Sequence, residues 1–108
     1  MSNVRKHRVL LTGASRGIGK AIALALSAQT ARIFLLGRDR KALDSVAFQM
    51  RGADVVVMAG DIANAGFRAE VATTVQTAGG INVLINNAGV SDWSPSSLDA
   101  DARMQRNR

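Results

Sequence analysis

The 108-residue sequence contains no cysteine and no tyrosine, and aromatic residues make up only 4% of it. The absence of cysteine excludes disulfide bonds and cysteine-based metal sites. No apolar run approaches the roughly 20 residues that a transmembrane helix needs. The apolar run after Arg8 stops at Thr12-Gly13, which is too short for the core of a signal peptide. We therefore expect a soluble, cytoplasmic protein of about one domain's length, with no membrane partner.

The net charge of +6 is distributed in a way that argues against nucleic-acid binding. The basic excess lies before residue 9 and after residue 102, whereas the acidic and basic residues between these positions cancel. A nucleic-acid-binding surface usually presents a basic stripe on a folded face, often with stacking aromatic residues. We therefore expect no nucleic-acid partner.

Short apolar runs alternate with stretches of helical periodicity along the chain. Predicted strands occupy residues 8–12, 32–36, 54–58 and 81–85. Predicted helices occupy residues 17–29, the stretch from an Asp39 N-cap to Arg51-Gly52, and the stretch from an Asn64 N-cap to Gly79-Gly80. Strands separated by helices of crossover length predict an α/β fold with a parallel sheet.

The segment from Thr12 to Gly19, Thr-Gly-Ala-Ser-Arg-Gly-Ile-Gly, joins the first predicted strand to the first predicted helix. Glycine tolerates positive φ and has no Cβ to hold a ligand away from the backbone. The helix behind it offers unpaired N–H groups and partial positive charge to an anion. We interpret the segment as a dinucleotide site, although the glycines alone leave open a tight turn without a ligand. A P-loop is not expected, because Ala21 stands where a magnesium-binding serine or threonine is required.

Two further motifs each follow a predicted strand: Asp61-Ile62 follows the third, and the Asn-Asn-Ala-Gly stretch at 86–89 follows the fourth. Together with the glycine segment, in this order and spacing, they resemble the short-chain dehydrogenase/reductase family. The resemblance covers nearly the whole chain. It implies a Rossmann-type doubly wound parallel sheet of which only the first four strands are present. Residues 1–108 would then form a partial NAD(P)-binding domain, the nucleotide-binding half of an oxidoreductase acting on a carbonyl or alcohol.

The resemblance assigns roles to the residues of these motifs. Gly13 permits the bend, Gly17 admits the diphosphate, and Gly19 allows the helix to pack closely on the strand. By resemblance, Asp61 accepts a hydrogen bond from the adenine amino group and Ile62 packs against the ring. The complete set of expected cofactor-binding residues is Gly13, Ser15, Arg16, Gly17, Ile18, Gly19, Arg38, Asp61, Ile62, Asn87, Ala88 and Gly89. As alternatives, Asp61 is a loop or cap residue, and Asn86 and Asn87 are turn formers.

The residues after the second predicted strand predict NADP(H) in preference to NAD(H). NAD-dependent enzymes usually place an acidic side chain there to bind the ribose 2′-hydroxyl. This chain has Gly37 and Arg38, and the first carboxylate is that of Asp39. Arg16 projects from the glycine turn towards the same region, and two guanidinium groups can bind a 2′-phosphate through forked hydrogen bonds. The alternative is that both arginines are solvated surface charges.

The expected chemistry departs from the family pattern. Hydride-transferring members use a tyrosine as acid/base, a lysine four residues later, a serine and an asparagine. The chain has no tyrosine, its lysines are not in position, and Asn107 matches the asparagine poorly. No catalytic residue and no metal site is predicted, and we expect a truncated enzyme. The alternative is a non-catalytic NADP(H)-binding module or an inactive remnant.

Two further expectations concern the predicted fourth strand and Trp93. Val83-Leu84-Ile85 would form a bare apolar sheet edge, which favours self-association. Trp93 follows this strand and would either line a substrate cleft or pack within a loop.

Overall fold

The computed structural model describes residues 7–28, 30–50 and 54–87, in which strands and helices alternate as the sequence predicts. The elements in chain order are β1 (His7–Thr12), α1 (Gly17–Leu26), β2 (Thr30–Gly37), α2 (Arg40–Gln49), β3 (Asp54–Ala59), α3 (Ala65–Thr77) and β4 (Val83–Asn86). Within this part of the chain, no helix is both long enough and apolar enough to cross a membrane.

The four strands form one parallel sheet in the order β3-β2-β1-β4. From β1 the chain proceeds through β2 to β3 on one side, and then crosses to the other side of β1 as β4. Such a reversal of strand order is where open α/β sheets form ligand crevices beyond the carboxyl ends of their strands. The predicted fold class is confirmed.

Two apolar cores lie on opposite faces of the sheet. Helices α1 and α2 cover one face, where the buried residues are Val9, Leu11, Ala14, Ala23, Ile33, Leu35, Leu43, Val46 and Met50. Helix α3 covers the other, where they are Leu10, Phe34, Leu36, Ile62, Val71, Ala72 and Val75. Neighbouring residues of one strand point to opposite faces, so strands covered on both sides appear in the sequence as continuous apolar runs.

Helices α2 and α3 begin at the side-chain caps that the sequence predicts. Asp39 Oδ1 accepts a hydrogen bond from the Ala42 N–H at 3.2 Å, and Asn64 Oδ1 accepts one from the Phe67 N–H at 2.8 Å. These bonds pair N–H groups that the first helical turn leaves without a backbone partner. The predicted caps are therefore confirmed.

Helix α1 ends at Leu26, earlier than predicted, because Ser27 closes it. The backbone N–H and the hydroxyl of Ser27 both donate to the Leu24 carbonyl oxygen, at 3.3 and 3.0 Å. The predicted end at Gln29 lies outside the described residues. The chain is extended from Thr30 onwards, so β2 starts two residues before its predicted start at Arg32.

Strand β4 starts at Val83 and not at the predicted Ile81. Asn82 instead bonds to Arg8 at the amino end of β1. The Arg8 N–H donates to Asn82 Oδ1 at 2.8 Å, and the Asn82 N–H donates to the Arg8 carbonyl at 2.9 Å. These bonds align β4 with β1 before regular pairing starts at Val9 and Val83.

Two arginines, at the amino ends of β1 and β2, donate hydrogen bonds to carbonyl groups just after the end of α3. Arg8 Nε donates to the Gly80 carbonyl at 3.1 Å, and Arg32 Nη1 donates to the Ala78 carbonyl at 2.9 Å. Arg32 also forms an ion pair with Asp54 at 2.8 Å. Cationic donors are favourable beside the carbonyl groups at the end of a helix.

Candidate functional site

A cavity of about 380 Å³ lies at the carboxyl ends of β1, β2 and β3. Its wall comes from the ends of these strands and the segments that follow them: Gly13, Ser15 and Arg16 after β1, Leu36 and Gly37 at the end of β2 with Arg38, Asp39 and Ala42 after it, and Gly60 to Ala63 after β3. The volume lies within the range of pockets that bind small molecules.

The three glycines of the β1–α1 turn are required for two different reasons. Gly13 and Gly17 have positive φ values of 64° and 61°, a region that favours glycine. Gly19 is required by space, because a Cβ there would overlap the Gly13 carbonyl oxygen and lie 2.7 Å from Asn87 Nδ2. At Gly17, by contrast, a Cβ would meet no described heavy atom within 4 Å. The turn is tightly packed behind Gly19 and open in front of Gly17.

Helix α1 starts behind this turn without a side-chain cap. Arg16 occupies the N-cap position in an extended conformation (φ −163°, ψ 172°), and its side chain makes no capping hydrogen bond. The first turn of α1 carries no acidic residue. The N–H groups and partial positive charge of this helix end are therefore suited to an anion, in contrast to the capped ends of α2 and α3.

Thr12 and Asn87 hold the turn in place from behind. The Asn87 N–H donates to Thr12 Oγ1 at 2.9 Å, and the Asn87 side-chain amide donates to the Gly13 carbonyl at 3.2 Å. The Thr12 hydroxyl in turn donates to Asn86 Oδ1 at 3.0 Å. Both asparagines therefore anchor the glycine turn to the end of β4. Ala88 and Gly89, the other expected residues of this motif, lie outside the described residues.

The charged side chains of the cavity come from the three loops. Arg16 and Arg38 line the same cavity, and both are exposed. Arg38 Nη2 lies 3.4 Å from Asp61 Oδ2, with the two side chains 80% and 48% exposed. Asp39 is held as the cap of α2, and Asp61 Oδ1 accepts a hydrogen bond from the Ala63 N–H at 2.9 Å.

The two isoleucines expected to contact a cofactor have opposite environments. Ile18 is 73% exposed in the first turn of α1, and it is not part of the cavity wall. Ile62 lines the cavity but is only 7% exposed, because most of its side chain belongs to the core beneath α3. Ile18 therefore presents a broad apolar surface, whereas Ile62 offers only an edge.

The structure brings half of the expected site residues into one cavity wall. These are Gly13, Ser15, Arg16, Arg38, Asp61 and Ile62. Gly17, Ile18 and Gly19 lie at the start of α1, and Asn87 lies behind the turn.

Sequence reasoning missed two residues that shape the site. Thr12, which is fully buried, is predicted only to end the first strand and to begin the glycine segment. Gly60, which follows the third predicted strand, carries no predicted role in the site. In the structure, a Cβ at Gly60 would overlap the Phe67 ring, and the Gly60 N–H donates to the Gly37 carbonyl at 2.8 Å. A glycine directly before Asp61 was the available signal for this close contact.

The chain is similar to known proteins in both sequence and fold. The sequence profile of short chain dehydrogenases matches residues 7–107. A protein of Streptomyces violaceoruber is 43% identical over 99 residues, and its name describes a ketoacyl reductase of the granaticin polyketide synthase. The alignment covers 89% of this chain and 36% of that protein.

Two solved structures have similar folds. A metagenomic short-chain oxidoreductase in complex with NADP matches with a TM-score of 0.75 and 36% identity, covering 90% of this chain and 48% of that one. L-Sorbose reductase from Gluconobacter frateurii, complexed with NADPH and L-sorbose, matches with a TM-score of 0.74 and 26% identity. That alignment covers 91% of this chain and 42% of the reductase. The chain thus spans less than half the length of each of these three proteins.

Proposed function

Because this chain belongs to the short-chain dehydrogenase family, we propose that it binds NADP(H) as the nucleotide-binding part of an oxidoreductase. The substrate of the whole enzyme would be a carbonyl compound or an alcohol. One observation carries the proposal: Arg16, the N-cap residue at the start of α1 that makes no side-chain cap, and Arg38 line the same cavity beyond the sheet. Anionic groups bind favourably where a helix N-terminus and guanidinium groups converge.

The shape of the β1–α1 turn fits a dinucleotide. The open space in front of Gly17 allows a diphosphate to approach the backbone, and the N–H groups of α1 are available to bind it. The cavity between the three loops would take the adenosine end, with Asp61 and Ile62 in its wall. Ile18 would contact the cofactor through its exposed side chain.

The charges around the cavity favour NADP(H) over NAD(H). Arg16 and Arg38 line the cavity wall, and planar guanidinium groups match the geometry of a phosphate. The carboxylate of Asp39, the first after β2, is engaged with the Ala42 N–H as the cap of α2. It is therefore poorly placed to bind a ribose 2′-hydroxyl. The two similar structures described above hold NADP and NADPH.

The part of this chain in the reaction is to bind and orient the cofactor. A bound nicotinamide supplies or accepts the hydride. The Thr12–Asn87 contacts and the close packing at Gly19 would hold the phosphate-binding turn rigid. No proton transfer is assigned to a residue of this sequence, which has no tyrosine.

A second candidate is a non-catalytic NADP(H)-binding module, since these 108 residues contain no tyrosine that could act as acid/base. The coding DNA beyond codon 108, read in all three frames, separates the two. A Tyr-x-x-x-Lys motif there supports the enzyme, and its absence supports the binding module.

Titration calorimetry of the 108-residue chain with NADP⁺ and NAD⁺ tests cofactor binding. We expect tighter binding of NADP⁺. Replacing Arg38 with glutamine should weaken NADP⁺ binding by about 10- to 150-fold, since hydrogen bonds to charged groups contribute about 1.5–3 kcal/mol. The effect on NAD⁺ should be much smaller.

Arg40→Gln is the matched control for Arg38→Gln. It removes the same charge two residues away, from a side chain that pairs with Asp44 at 3.9 Å and does not line the cavity. Its NADP⁺ affinity should stay within about threefold of the parent, as expected for an exposed charge. Absence of binding of either nucleotide, or tighter binding of NAD⁺ by the parent, would contradict the proposal.

A further inference from the structure

Arg38 and Asp61 face each other from the loops after two neighbouring strands. The loops are joined one residue earlier, where the Gly60 N–H donates to the Gly37 carbonyl at 2.8 Å. Arg38 Nη2 then lies 3.4 Å from Asp61 Oδ2. The second oxygen, Oδ1, accepts from the Ala63 N–H at 2.9 Å, which fixes the carboxylate while Oδ2 faces the guanidinium. Two residues that line one cavity are thus partners of each other.

From this geometry we infer that Asp61 is a specificity-determining residue that limits the preference for NADP(H) over NAD(H). The inference rests on the proposed function. The carboxylate competes with a 2′-phosphate for Arg38, and both are anions that bind a guanidinium through the same donors. NAD(H) brings no such phosphate, so Arg38 stays paired with Asp61 when NAD(H) binds. Asp61 acts here through Arg38, as a positioning residue.

The Arg38–Asp61 pair is exposed enough to be exchanged. The side chains are 80% and 48% exposed, so solvent and salt screen their attraction. A pair of this kind restrains Arg38 without locking it, and a phosphate can displace the carboxylate. The expected size of the effect is therefore a few-fold change in cofactor selectivity.

Asp61→Asn removes the competing charge and leaves the loop intact. Asparagine retains an Oδ1 that can accept from the Ala63 N–H, and it replaces Oδ2 with an NH₂ group that cannot pair with a guanidinium. Any contact between residue 61 and the adenine ring is common to the two cofactors. It therefore cancels in the ratio of their dissociation constants, which reports specificity alone.

The experiment measures Kd for NADP⁺ and NAD⁺ by calorimetry in the 108-residue chain and in Asp61→Asn. We expect the ratio Kd(NAD⁺)/Kd(NADP⁺) to rise about two- to fivefold, the range for an exposed ion pair. In an Arg38→Gln background the same substitution should leave the ratio unchanged, because the competition requires Arg38. Asp61→Ser should give the same rise, because its hydroxyl can also accept from the Ala63 N–H. This second variant tests the inference if Asp61→Asn does not fold.

Asp44→Asn is the matched control. It breaks an exposed pair with Arg40 outside the cavity wall and removes the same charge, so the ratio should not change. A parent that binds NADP⁺ together with a ratio that falls or stays constant in Asp61→Asn overturns this inference and leaves the proposed function standing. An equal rise in the Arg38→Gln background overturns it too, because Asp61 would then act directly on the phosphate. If the parent binds neither nucleotide, both are overturned.

Discussion

Individual residues of the β1–α1 turn differ in what they tolerate. Gly17 is constrained by its backbone conformation, with φ at 61°, and a Cβ there would meet no heavy atom of the described residues within 4 Å. Gly19 is constrained by its neighbours, the Gly13 carbonyl and the Asn87 amide. A side chain therefore costs free energy at the two positions for different reasons.

Gly19→Ala should destabilise the chain more than Gly17→Ala. The new methyl group at position 19 meets backbone, which cannot rotate away, so we expect a loss of about 1–3 kcal/mol in unfolding free energy. At position 17 only the strain of positive φ applies, at about 1 kcal/mol. Urea unfolding followed by circular dichroism measures both. A Gly19→Ala variant as stable as the parent would show that the close contact is not required.

The residues of the turn were predictable from the sequence, but their partners were not. Three glycines between an apolar run and a helix mark a strand–turn–helix unit, because each element is local. The bond from the Asn87 N–H to Thr12 joins residues 75 positions apart. The Arg38–Asp61 pair likewise depends on how β2 and β3 align. Sequence reasoning named both residues as separate cofactor contacts, and the register of the strands makes them partners of each other.

Whole elements were predicted best where a side chain marks their boundary. Asp39 and Asn64 are short polar residues at the start of apolar periodic stretches, and both are caps in the structure. The end of α1 carries no glycine or proline, so no strong sequence signal marks Ser27 as the residue that ends the helix. The predicted start of β4 is two residues too early, because Ile81 is apolar and resembles a strand residue. In the structure, Asn82 bonds to Arg8 and regular pairing starts only at Val83.

Asn64→Ala should destabilise the start of α3. The variant loses the 2.8 Å bond to the Phe67 N–H, and an N-cap of this kind contributes about 1 kcal/mol. For a domain of this size the melting temperature should fall by about 4–8 °C. Asn64→Ser, which can still cap the helix, is the control and should melt close to the parent. If Asn64→Ala and the parent have the same melting temperature in differential scanning calorimetry, the Asn64 cap does not stabilise the chain.

At the scale of the whole molecule, the sheet leaves two outer strands within the described part of the chain. Strand β3 pairs only with β2, and β4 pairs only with β1. The residues Val83, Leu84 and Ile85 of β4 are half-buried, and none of them is charged. An apolar outer strand without charged residues invites pairing with another chain. Strand β3 differs at its start, where Asp54 forms its ion pair with Arg32.

We therefore predict that the 108-residue chain self-associates through β4. Sedimentation velocity from about 5 µM to about 200 µM should show a weight-average mass that rises with concentration. Ile85→Lys should reduce the association, because a charge on an outer strand opposes pairing. Val57→Lys is the matched control: Val57 is also half-buried against the same core, but it lies on β3, at the opposite edge of the sheet. A monodisperse monomer across the range, or equal loss of association in both variants, would show that β4 is not the contact.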